Sequence, residues 1–155
     1  MCFSKGLGAP IGSIIVCSEE LHHRALWVRK SMGGGTRQLG VLTAAARVAV
    51  EDTFFGGKLL PTHQKAKRVA SIWTKYGGKV TAPVETNMVW VDLEEAGITA
   101  EEFAEAGRRI GIKLLDGRLV IHYQICEEAL EGFQKLARKV LAGEGEDEAC
   151  RRLEN

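Results

Sequence analysis

The sequence predicts an α/β chain that finishes in a compact α+β module, and three observations carry that reading. Short apolar runs at residues 2–4 and 12–17 have strand length and flank a loop of small residues. Helical periodicity then fills residues 18–30, 39–55 and 61–76, punctuated by Gly33-Gly34-Gly35, Gly56-Gly57 and Gly77-Gly78. From Lys79 onward, strand-like runs alternate with two amphipathic helical patterns.

The first helix starts at Ser18, a good N-cap, followed by Glu19 and Glu20 in the first turn. Leu21, Ala25 and Val28 share one of its faces, and Arg24, Arg29 and Lys30 gather toward its C-terminal end, where cations suit the helix dipole. Three glycines end it, because such a run costs too much backbone entropy to continue a helix. Residues 39–55 are small and apolar nearly all round (Ala44, Ala45, Ala46, Val48, Ala49), which predicts a helix buried in a core or against a partner subunit. Residues 61–76 carry the stripe Ala66, Val69, Ala70, Trp73 and Tyr76 at helical spacing, a core face, with His63 in an exposed first turn. Residues 80–82 and 88–92 read as strands. Thr99-Ala100-Glu101-Glu102 is a capping box that opens a helix to Arg109. Residues 112–115 and 118–123 read as two strands joined at Asp116-Gly117, a strong hairpin turn. Residues 127–141 close the module, with Leu130, Phe133, Leu136, Ala137 and Val140 inward, and the remainder is a Glu, Gly and Arg tail expected to be disordered or loosely helical.

The 155 residues suffice for a domain of ordinary size, and 45% hydrophobic with 26% charged residues is a globular composition. A net charge of +1, without basic and aromatic residues interleaved, argues against a nucleic-acid binder. No stretch is long and apolar enough to suggest a membrane span, and Met1 opens no signal peptide. Cys2, Cys17, Cys126 and Cys150 form no CxxC pair and have no histidine at ligand spacing, so no metal site is expected. They read as reduced, mostly buried thiols of an intracellular protein.

Three charged residues stand out. Lys5 lies in a loop of Gly and Ala, where small neighbours leave room for a bound molecule. Burial there would lower its pKa and make the amine a Schiff-base nucleophile, whereas the alternative is a solvated loop lysine. Arg37 follows the triple glycine, whose N–H groups suit an anion-binding nest; the alternative is a flexible cap and a solvated arginine. Arg118 opens a strand, where it forms an ordinary salt bridge, is solvated, or clamps a carboxylate. A site-like residue at position five also suggests that the chain begins in the middle of a larger architecture.

Taken in order, the motifs Ser4-Lys5-Gly6-Leu7-Gly8-Ala9-Pro10-Ile11-Gly12, Arg29-Lys30-Ser31-Met32-Gly33-Gly34-Gly35-Thr36-Arg37-Gln38, Thr86-Asn87-Met88-Val89 and Arg118-Leu119-Val120-Ile121-His122 resemble the C-terminal half of the low-specificity L-threonine aldolases. Those enzymes belong with the aromatic amino acid β-eliminating lyases among fold-type I, pyridoxal 5'-phosphate (PLP) proteins of aspartate-aminotransferase-like fold. The resemblance spans residues 2–141. It implies that Lys5 forms the imine with PLP, that Arg37 contacts an anionic group of the cofactor in an oligomeric site, and that Arg118 binds the amino-acid carboxylate. Thr36 stands where the family has Met or a similar residue, and Ile121 where it has Thr. The family's other half supplies the carboxylate for the pyridine nitrogen, the group stacked on the ring and most phosphate donors.

The resemblance therefore implies a partial PLP-transferase fold. Residues 1–57 would be the end of the large domain with the lysine loop and an interface helix; residues 58–142 would be a helix plus the small C-terminal domain; residues 143–155 would be the tail. The implied activity is cleavage of a β-hydroxy amino acid, threonine giving glycine and acetaldehyde, in a cytoplasmic homo-oligomer (dimer or tetramer). A PLP-dependent β-eliminating lyase and a non-catalytic chain that only pairs with a related subunit are the alternatives.

Overall fold

The computed structural model describes residues 1–143, so the expected tail lies almost wholly outside the described residues. The elements are α1 (Glu19–Ser31), α2 (Gly40–Ala49), a π-helical continuation (Val50–Phe55), α3 (Leu59–Lys75), β1 (Met88–Trp90), α4 (Ala100–Arg109), β2 (Arg118–Val120) and α5 (Glu127–Ala142). They fall into two compact units, the first Met1–Leu59 and the second from Leu60 onward.

In the first unit, residues 1–14 fold back on themselves. Met1 and Ile14 exchange bonds through the terminal ammonium and the Ile14 N–H, and Phe3 N–H donates to Gly12 O. The expected strands at 2–4 and 12–17 are replaced by a single bridge, Cys2 to Ser13. Ile15 is 74% and Val16 91% exposed, which corrects the buried strand. A strand is held by partner strands, and the described residues of this unit provide only that one bridge.

Ser18 caps α1 as expected, its hydroxyl accepting from Leu21 N–H at 3.4 Å. Yet α1 has no buried residue, and Trp27 is exposed. The helix expected over 39–55 is instead α2 followed by the π turn. It buries Ala46, Ala49 and Thr53 while Val41, Val48, Phe54 and Phe55 face outward, so its predicted burial holds on one side only. The small core of this unit is Leu7, Ala9, Ala46 and Ala49, with Phe3, Val50 and Leu59 against it.

The second unit has the larger core. Ala66, Val69 and Trp73 of α3 meet Val89 of β1, Phe103 of α4, Leu119 of β2, and Leu130, Phe133, Leu136 and Ala137 of α5. Trp73 meets Phe103 edge-on at 5.7 Å between ring centres and stacks on Phe133 at 6.2 Å. Its indole N–H donates to Lys79 O at 3.0 Å, so the one polar atom of the ring is satisfied. Gly78 is required here, since a Cβ at that position would lie 2.2 Å from the indole nitrogen. The capping box of α4 forms in full between Thr99 and Glu102.

The sheet is one antiparallel pair with Met88 opposite Val120, Val89 opposite Leu119 and Trp90 opposite Arg118. Val89 and Leu119 point into the core; their neighbours on both strands are exposed. Residues 80–82 supply only a bridge, Val80 to Val91. Residues 112–115 are not a strand, and β2 ends at Val120, short of the predicted 123. His63 is half-buried rather than exposed. Cys2 and Cys17 are half-buried and Cys126 is exposed, against the expectation of buried thiols.

Candidate active-site residues

Lys5 sits at the tip of the N-terminal fold-back. Gly8 N–H donates to Lys5 O at 3.0 Å and Ala9 N–H returns to Phe3 O at 2.9 Å, which closes a tight loop. Gly8 has φ 80°, a conformation that favours glycine. Leu7 and Ala9 anchor the loop by inserting beneath it, and the Thr53 hydroxyl donates to Leu7 O at 3.2 Å. The side chain of Lys5 itself is exposed. The burial that would activate its amine is therefore not supplied by the described residues of this unit. Nearby, hydrogen bonds from the Ser4 hydroxyl and amide, and then from Ser13, hold the Cys2 thiol below its usual pKa, and the positive charge of Lys5 adds to the effect.

The triple glycine behaves differently from a nest. Gly34 N–H donates to Arg29 O at 2.8 Å and Gly33 N–H to Lys30 O at 3.1 Å, with Gly33 at φ 80°. This is a Schellman cap: the last carbonyls of α1 take the N–H groups that an anion would have used. Arg29 reinforces it, its Nε donating to Gly34 O at 2.9 Å. Arg37 follows in an exposed bend. Among the described residues, neither Lys5 nor Arg37 has an ion-pair partner.

Arg118 belongs to the second unit, at the first position of β2. Its guanidinium carbon lies 5.9 Å from the ring centre of Trp90, its cross-strand partner. Its own N–H donates to Asp116 Oδ1 at 2.8 Å. No carboxylate pairs with its guanidinium among the described residues, which disposes of the ordinary salt bridge there. A stacked guanidinium keeps its in-plane N–H groups available for a forked contact with a carboxylate. Asn87 fixes the other end of the strand pair, its Nδ2 donating to Ile121 O at 3.0 Å. Trp90 escaped the sequence reading as a neighbour of Arg118, because only the strand register reveals that it lies opposite.

The family model for β-eliminating lyases matches residues 1–96, well over half of the chain. The chain belongs to the β-eliminating lyase family. It is 54% identical over 141 residues to aldolase vrtJ of Penicillium aethiopicum, covering 91% of this chain and 36% of that protein. It is 42% identical to alanine racemase TOXG of Cochliobolus carbonum, covering 90% and 37%, and 45% identical to low-specificity L-threonine aldolase 1 of Arabidopsis thaliana, covering 81% and 37%. The chain thus spans a little over a third of the length of the curated relatives it matches. Membership implies a PLP-transferase fold, and the family's enzymes are PLP-dependent. The donors present suit that cofactor in part: an exposed amine at Lys5 and an unpaired guanidinium at Arg37 fit an aldehyde and a phosphate. The Gly33 and Gly34 N–H groups, taken by Lys30 O and Arg29 O, do not add to them.

Proposed function

We propose that this lyase-family chain carries the lysine and the carboxylate-binding arginine of a PLP-dependent carbon–carbon lyase of the threonine aldolase type, acting on a β-hydroxy amino acid. The observation that carries the reading is Arg118, held against Trp90 with its guanidinium unpaired among the described residues. In this reading Lys5 holds the cofactor through its amine, and Arg37 contacts an anionic group of it. The cofactor supplies an electron sink for the bond that breaks. Arg118 grips the substrate carboxylate through two N–H groups and so sets the orientation of the Cα–Cβ bond, a contribution of positioning rather than of proton transfer. Trp90 keeps the guanidinium from swinging away.

Residues 1–57 are then the end of a PLP-binding large domain and residues 58–142 a small C-terminal domain, in an enzyme that works as a cytoplasmic dimer or tetramer. A second reading, a non-catalytic chain that pairs with a related subunit, is favoured by the exposure of Ile15, Val16 and Phe55. Purified chain mixed with PLP tests the two. An absorption band that borohydride fixes on Lys5 marks cofactor binding, and glycine release from threonine marks the aldolase. The expected outcome for the 155-residue chain alone is weak PLP binding and little or no turnover, with both restored when the remainder of a relative is supplied. Lack of any Lys5 adduct in that reconstituted mixture would refute the catalytic reading.

A further inference from the structure

The two arms predicted to zip into a hairpin at Asp116-Gly117 are apart, and a cavity of about 260 Å³ opens between them. The cause is local. Gly117 O accepts from Val91 N–H at 2.8 Å, and Asp116 turns its carboxylate onto Arg118 N–H, so the turn is closed by a side chain. Residue 112 is tied elsewhere: Ile112 N–H donates to Gly107 O at 2.9 Å. Residues 113–115 are therefore not drawn onto the outer edge of β2.

The inner wall of the cavity is apolar, formed by Leu114, Leu119, Ile121, Leu130 and Phe133, with Ala129 beside them. All of these lie on the core side of β2, away from the exposed face where Arg118 meets Trp90. The rim is polar. Of the charged residues lining it, Lys113 and Arg118 are cations and Asp116 is the one acid. Lys113 has no carboxylate partner among the described residues. Ile121 N–H bonds to Asn87 on the β1 side, so by alternation Val120 directs its N–H to the outer edge, beside the cavity.

We propose that this cavity binds a small apolar carboxylate, its hydrocarbon between the two arms and its anionic head at Lys113 and the Val120 N–H. A cavity of about 150 Å³ holds benzene, so this one has room for a chain of roughly eight carbons. Charge selects the head group: Lys113 lines the cavity with no carboxylate partner among the described residues, and the Asp116 carboxylate is turned onto the Arg118 N–H. Arg118 lines the cavity too, but the head group is placed at Lys113 and the Val120 N–H and not at the grip assigned to Arg118, so the proposal stands or falls independently of PLP.

The test uses the whole chain, with octanoate and octanol as probes. Amide NMR shifts should localise octanoate to residues 112–121 and 125–133, with a dissociation constant on the order of 0.1–1 mM, and octanol should bind about tenfold more weakly. Lys113→Glu, a change at an exposed residue, should weaken octanoate about fivefold and leave octanol unchanged. Ala129→Phe should fill the cavity and abolish both. Equal binding of octanol and octanoate, shifts confined to other residues, or no effect of Lys113→Glu would each overturn the proposal. Failure of the Lys5 adduct with PLP bears on the lyase reading and leaves these outcomes unaffected.

Discussion

Phe103→Ala is the sharpest probe of the scaffold behind Arg118. Phe103 is fully buried, and its ring meets Trp73 edge-on at 5.7 Å. It is part of the same core as Val89 and Leu119, which pin the inner face of the strand pair. Truncation removes the transfer free energy of the ring and leaves a cavity, together about 3–5 kcal/mol. The aromatic pairing accounts for about 0.5–1.5 kcal/mol of interaction beyond area alone. Small domains hold about 5–15 kcal/mol in total, so the variant should sit near the edge of folding. With a urea m-value of about 2 kcal/mol/M, the midpoint should fall by roughly 1.5–2.5 M. The assay is urea unfolding followed by tryptophan fluorescence and near-ultraviolet dichroism, since Trp73 is fully buried while Trp27 and Trp90 are exposed. Phe103→Leu serves as control and should lose less than half as much. A midpoint shift under about 0.5 M for Phe103→Ala would refute the reasoning, because no buried aromatic in one cooperative core is that cheap to remove.

Three further outcomes follow from the helix ends. Thr99→Ala removes the side-chain cap of α4 and should cost about 1 kcal/mol, read as a lower melting temperature. The Thr99 N–H and then its hydroxyl hold the Glu102 carboxyl below its usual pKa, so its contribution is present above the unfolded carboxylate pKa and lost as pH falls through the lowered value. Stability should thus decline on acidification below the ordinary carboxylate range, and less steeply in Thr99→Ala. Gly33→Ala forces a side chain into the left-handed cap of α1 and should cost about 1 kcal/mol of helix stability, with fraying at Arg29 and Lys30 seen in amide exchange.

Much of the chain was legible locally. Ser18 and the Thr99 capping box name their helix starts because a cap is a contact between residues three apart, written in adjacent letters. The stripe Ala66, Val69 and Trp73 announced a core face because helical spacing alone puts those residues together. Lys5 and Arg118 stood out by residue type and neighbours, and the family resemblance agrees with the match over residues 1–96, which includes Lys5 and Arg37 but not Arg118.

What the letters could not decide was pairing at a distance. Residues 12–17 have every strand propensity and no strand, because a strand's hydrogen bonds belong to its partner and the described first unit supplies a single bridge. The glycine N–H groups were available to an anion or to the helix end, and geometry at Gly33 and Gly34 gave them to Arg29 and Lys30. Asp116-Gly117 promised a hairpin, but its carboxylate and carbonyl bonded to Arg118 and Val91, and the arms stayed open. The sequence by itself determined the family resemblance and where helices begin. Tertiary structure alone decided which polar groups were already spent, that Trp90 lies against Arg118, and that an apolar cavity remains behind the strand, since each of these depends on residues that meet only when the chain has folded.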